Sequence, residues 1–151
     1  MSIPTISLDP TADLRAVPSE DVQLWTLLHP FHFFIGGTLF CIPENFVTDL
    51  ASVPRALQSY LANDSPVILR PALVHDWLYQ SQGKVPDVTG KEHAFTRAEA
   101  DNVLFAAMQW CRASLDQRWL AWIAVRIGGG SIWASHTQRT EDIQFALASL
   151  Q

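Results

Sequence analysis

Hydrophobic and polar positions in this chain follow two periods, one extended and one helical. From Val22 to Pro43 the chain is rich in β-branched and aromatic residues in short runs: Val-Gln-Leu-Trp-Thr-Leu-Leu, then Phe31 to Ile35, then Thr38 to Ile42. Gly36-Gly37 falls between two of these runs, which is a hairpin signal. Two or three antiparallel strands are expected there, and so small a sheet must pack against helices to be stable. The first twenty residues carry Pro4, Pro10 and Pro18 and little periodicity, and they read as an extended arm or loop.

Beyond Pro43 the pattern turns helical. Phe46 to Arg55 reads as a loop leading into a helix, with Ser52 as N-cap, Pro54 at an early helical position and an end near Leu61. Asn63 to Pro66 breaks that helix. A second helix is expected from about Pro71 to about Gln82, with Gly83 as a stop. Residues 83–95 read as a polar loop. Thr96-Arg-Ala-Glu99 is a capping box that opens a helix through Cys111, with Val103, Leu104, Ala107, Met108 and Cys111 at helical spacing. Ser114 to Gln117 repeats the signal for a further helix, expected to run to about Ile127 and to end at Gly128-Gly-Gly130. A short terminal helix is expected from Thr140 to Leu150. The expected fold is α+β, a mostly helical single domain over residues 21–151 with three to four helices and a small N-terminal antiparallel hairpin or three-stranded sheet.

Composition narrows the possible functions. Of 151 residues 48% are apolar and only 17% charged, with six Trp and eight Phe, an aromatic content high enough to raise the question of an interface. Net charge is −5 and the ten Lys and Arg form no run, so nucleic acid is not an expected partner. Cys41 and Cys111 are too few for a disulfide framework and read as two buried thiols in a reducing compartment. No signal peptide is expected from the N-terminal residues. The apolar run Trp119 to Val125, interrupted by Arg126, is far shorter than the roughly 20 residues that span a bilayer. Trp119, Trp122 and Trp133, with Ile123 and Ile127, read as core or as an interfacial face.

Candidate chemistry centres on His75-Asp76-Trp77-Leu78-Tyr79, an ionisable pair inside an apolar segment. Such a pair costs free energy unless the groups are partnered or exposed in a cleft. On a helix His75 and Tyr79 stand one above the other, and Asp76 lies about 100° round. Histidine suits proton transfer near neutral pH, provided that a carboxylate fixes its tautomer. Asp76, as its chain neighbour, points elsewhere and is available to a cation. Asp101 falls on the buried stripe of the next helix, with Ala98, Phe105 and Met108, and needs a partner; His75 or Tyr79 is the candidate. The bland alternative is a helix-dipole role for Asp101 and a satisfied core histidine. Asp49 is a further candidate cation ligand and Arg55 a candidate anion grip. Alternatively Asp49 and Ser52 cap loose backbone amides. Trp77 is assigned to substrate binding or to structure. His29, His32, His93 and His136 show no metal spacing, although His29 and His32 could add a ligand.

The segment Phe46 to Arg55 (F-x-T-D-x-A-S-V-P-R), with His75 to Tyr79, Arg97-x-Glu-Ala-Asp101 and Val125-Arg-x-Gly128, resembles domain of unknown function family 1353, an uncharacterised phage and prophage family. The resemblance covers about residues 22–133. It implies a phage-encoded protein made in the cytoplasm of a bacterial host, with association with the virion as one expected fate. A second, local similarity links His-Asp-x-x-Tyr and the Asp on the next helix to secreted phospholipases. That likeness implies His75 as the base activating water, Asp76 as a calcium ligand, Asp101 orienting the imidazole and Tyr79 bonded to Asp101. The glycine-rich calcium loop and the disulfide lattice of those enzymes are missing here, and Asp49 is the residue that would supply an oxygen ligand instead. Two functions are therefore expected to compete. One is a small metal-assisted hydrolase with a divalent cation, calcium before zinc, and no organic cofactor, acting on a lipid or other envelope substrate. The other is a non-catalytic virion or assembly protein whose polar cluster only holds helices together.

Overall fold

The computed structural model describes residues 1–21, 23–50 and 66–149, apart from the side chains of Pro66 and residues 136–147. Among the described residues eight strands and three helices form an α+β architecture with the strands concentrated at the N-terminal end. β1 (Ile6–Leu8), β4 (Phe31–Ile35) and β5 (Thr38–Ile42) make one antiparallel sheet in the order β1-β4-β5. β2 (Leu14–Val17), β3 (Leu24–Leu27) and β6 (Val47–Thr48) make a second, in the order β2-β3-β6.

The hairpin between β4 and β5 forms where the glycines direct it. Gly36 and Gly37 both take positive φ, 56° and 83°, and Ile35 pairs with Thr38 across a two-residue turn. Along β4 the pleat buries Phe31, Phe33 and Ile35 and turns His32 and Phe34 outward. Phe33 stacks on Phe40 with centroids 5.5 Å apart, and Trp77 meets Phe33 edge-on at 5.7 Å. Each ring removed from water there contributes roughly 2–3 kcal/mol.

The helices are α1 (Pro66–Gln80), α2 (Arg97–Trp110) and α3 (Leu115–Ser149). Every residue of α1 from Pro71 to Tyr79 is buried. Such a helix must be covered on all sides, and its polar groups must find partners inside. α2 begins at the expected capping box: the Glu99 backbone N–H donates to Thr96 Oγ1 at 3.2 Å, and the Thr96 N–H donates to Glu99 Oε2 at 2.7 Å.

Four expectations are corrected. The first twenty residues, expected as an extended arm or loop, contain two strands, because β1 pairs with β4 and β2 with β3. Residues 83–95 hold a hairpin, β7 (Lys84–Pro86) with β8 (Glu92–Ala94), rather than only loop. α1 starts at Pro66 instead of Pro71, so Pro71 lies inside it and gives up one early backbone hydrogen bond. The triple glycine does not end the third helix. α3 runs through Gly128, Gly129 and Gly130 without a break and takes in the separate terminal helix expected after Thr140. Glycine ends a helix by entering the left-handed region, and none of these three has positive φ. The helix expected from Ser52 to Leu61 lies outside the described residues.

Candidate functional site

Two polar clusters form around α1, back to back on successive residues. The first is built on Asp101, the fifth residue of α2, which is completely buried. His75 Nε2 lies 2.9 Å from Asp101 Oδ1, and the Tyr79 hydroxyl donates to the same oxygen at 2.6 Å. The i,i+4 spacing on α1 delivers both groups to one point. The other oxygen, Oδ2, accepts from Arg126 Nη1 of α3 at 2.8 Å and lies 3.8 Å from Arg97 Nη1. Burial acts to raise the Asp101 pKa. The hydrogen bonds from His75 and Tyr79, with the charge of His75 and the Arg126 contact, outweigh burial and hold the carboxyl below the usual carboxylate range. Burial and the Asp101 contact together push the Tyr79 phenol up, so it stays a donor.

An ionised Asp101 can only accept. The ring proton of a neutral His75 therefore sits on Nε2, which leaves Nδ1 as the basic lone pair. Among the described residues no hydrogen bond reaches Nδ1.

The second cluster surrounds Asp76, also completely buried. Its Oδ2 accepts from the Thr48 hydroxyl and from Gln80 Nε2, the latter at 2.9 Å. Thr48 ends β6, and its Oγ1 accepts the Leu50 N–H at 2.9 Å, so its own proton is directed to Asp76. Leu50 holds φ +54°, a left-handed conformation that costs a non-glycine residue roughly 1–2 kcal/mol. Burial, with the neighbouring charge of Asp49, outweighs these hydrogen bonds and pushes the Asp76 carboxyl up to about 6.

Of the expected site residues, His75, Tyr79 and Asp101 come together as the sequence implied. Asp76 points away from them, and Asp49 lies near enough to act on its charge. Trp77 belongs to the aromatic core against Phe33 and Phe40. Ser52 and Arg55 lie outside the described residues. His29 and His32 stand 3.9 Å from Asp13 and 3.6 Å from Asp9, and both are exposed. Among the described residues no group of three or more His, Cys, Asp or Glu is set to hold a metal ion. Cys111 is buried and Cys41 half-buried, both as free thiols, and burial raises each pKa. Ala98 is exposed, so the stripe that carries Asp101 is narrower than its spacing suggested.

The family profile described as a protein of unknown function (DUF1353) matches residues 25–125, more than half of the chain. The chain belongs to the DUF1353 family. No curated protein and no solved structure matches it. The DUF1353 span holds Thr48, His75, Asp76, Tyr79, Gln80, Arg97 and Asp101, whereas Arg126 falls one residue beyond it. No helix of the described residues is long and apolar enough to cross a membrane.

Four members of these clusters escaped the reading of the sequence. Arg126 registered as an interruption of an apolar run and within the Val125-Arg-x-Gly128 motif, with no partner assigned to it; a cation breaking an apolar run was itself the signal of a buried partner. Thr48 and Gln80 lie at ordinary strand and helix positions. Gly129 registered as a stop, yet its role is clearance. A Cβ there would come within 2.5 Å of the Tyr79 hydroxyl.

Proposed function

We propose that this DUF1353 protein is a small hydrolase in which His75 is the general base. One observation carries the reading: Asp101 holds Nε2 through the oxygen that also receives Tyr79, and so directs the basic lone pair to Nδ1. In the reaction Nδ1 takes a proton from water as the water attacks an ester carbonyl, and Asp101 stabilises the imidazolium that forms. Asp76 and Asp49 would hold a divalent cation. Two neighbouring carboxylates, one of them raised in pKa by burial and by the other, suit a hard oxygen-seeking ion such as calcium more than zinc. When bound, the ion supplies electrostatic stabilisation of the developing oxyanion. The substrate class that fits the family resemblance is a phospholipid or another cell-envelope ester, met during a phage cycle in a bacterial host.

A second reading rests on a different observation. His75 is 1% exposed, and Asp76 and Asp101 are fully covered. Buried, fully connected networks fix packing. On this reading the protein is a non-catalytic virion or assembly component whose cluster locks three helices together.

Thermal melts and ester hydrolysis separate the two. The hydrolase reading expects calcium to raise the melting temperature of the wild type but not of Asp76→Asn, and expects His75→Asn to abolish hydrolysis of phospholipid vesicles while remaining folded. Unchanged hydrolysis in His75→Asn, or no turnover by the wild type with calcium, zinc or neither, leaves the assembly reading.

A further inference from the structure

α3 is apolar on two opposite faces, and among the described residues only one of them is packed. Ala121 and Val125 face inward and pack with Leu104 and Met108. On the other side Leu120, Ile123, Ile127, Gly130 and Ala134 are all exposed, at spacings of three, four, three and four residues. Ile127 is 82% exposed, and Leu115, Trp119, Leu120 and Ile123 between 41% and 57%. A seam repeating every 3.5 residues is the surface that a second helix covers, because slight left-handed supercoiling keeps that face toward its partner. The wider patch of these five side chains presents on the order of 500 Å² of apolar surface, toward the upper end for the largest patch on a monomer, a size that is often functional.

We infer that this face of α3 pairs with α3 of a second copy of the chain. Charge argues for a protein partner over a lipid surface. An interfacial helix flanks its apolar face with free Lys and Arg, and the protein as a whole carries −5. Between Leu115 and Ser135 the only basic residues are Arg118 and Arg126, and both are turned inward. Arg118 lies over the Phe105 ring at 5.9 Å, and Arg126 is bonded to Asp101. Area agrees with the same partner: two such patches bury on the order of 1,000 Å², the lower bound for a specific interface. An antiparallel crossing near Ile123 sets Leu120 of one copy against Ile127 of the other, opposes the helix dipoles and keeps the two Asp116 carboxylates apart. The small side chains at Gly130 and Ala134 let the backbones approach at the ends of the seam.

The test is sedimentation equilibrium of the full chain from 1 to 100 µM. The wild type is expected to sediment at twice its 16.9 kDa mass. Ile123→Glu and Ile127→Glu should raise the dissociation constant at least a hundredfold with unchanged far-UV circular dichroism. Val88→Glu, at an exposed apolar site on the β7–β8 turn, should leave it unchanged. Should the glutamate variants not fold, the Leu120→Cys/Ile127→Cys variant decides, since oxidation is expected to link copies through those positions. A wild type that stays monomeric over the whole range, floats as a monomer with phosphatidylcholine vesicles, or fails to cross-link through positions 120 and 127 overturns the inference. So does a dimer that both glutamate variants leave intact.

Discussion

Replacing Asp76 with asparagine should make the protein more stable at neutral pH. The carboxyl has its ordinary pKa near 3.8 in the unfolded chain and about 6 in the fold, where burial opposes its charge. A group with a raised folded-state pKa stabilises the fold fully below pH 3.8 and loses that contribution as pH rises through 6. The interval of about two units corresponds to about 3 kcal/mol. Asparagine keeps a carbonyl oxygen for the Thr48 and Gln80 donors and cannot ionise. Urea denaturation of both proteins from pH 4 to pH 7.5 should therefore give stabilities that coincide near pH 4 and diverge by about 3 kcal/mol at pH 7, with Asp76→Asn the more stable. For a chain of this length that is roughly 6–12 °C in melting temperature. Taking the difference between the two proteins cancels the titrating groups that do not act on Asp76. Parallel curves, or an asparagine variant less stable at pH 7, would refute the reasoning, because Asp76 would then be stabilised as an anion.

Three further outcomes follow from the same geometry. Asp101→Asn should cost about 3–5 kcal/mol at pH 7, since it breaks a buried charged cluster. Its depressed pKa means that the deficit, measured in urea, should shrink as pH falls below 3.8. Gly129→Ala should destabilise by roughly 1–3 kcal/mol through displacement of Tyr79, whereas Gly128→Ala, whose added methyl meets nothing, should stabilise by about 0.5–1 kcal/mol; thermal melts of the pair test this contrast. Gly83→Ala should destabilise by about 3 kcal/mol or more in the same assay, because φ is +79° there and a Cβ would overlap the Phe95 carbonyl.

The parts of this molecule that were legible in the sequence are those encoded locally. The capping box at Thr96 marks the start of α2 because its two bonds lie within four residues. His75, Tyr79 and Asp101 were legible because polar groups at helical spacing on apolar segments must meet something. β1 and β2 were not, since three or four residues flanked by prolines gain their strand identity from their partners, β1 from β4 far along the chain and β2 from the neighbouring β3. Arg126 gave its position away by breaking an apolar run, but its target on α2 depends on how α3 docks. The triple glycine misled for a related reason: glycine permits a helix end without requiring one, and the close approach of Tyr79 is a tertiary fact.

Asp101 gathers hydrogen bonds from α1 and α3 while standing on α2 itself. No two of the three helices can satisfy it without the third. Partial opening of any one helix strands an anion away from water, so states with one helix undocked should be scarcely populated. Amide protons deep in the three helices are accordingly expected to exchange with deuterium through one shared opening, as a single cooperative unit.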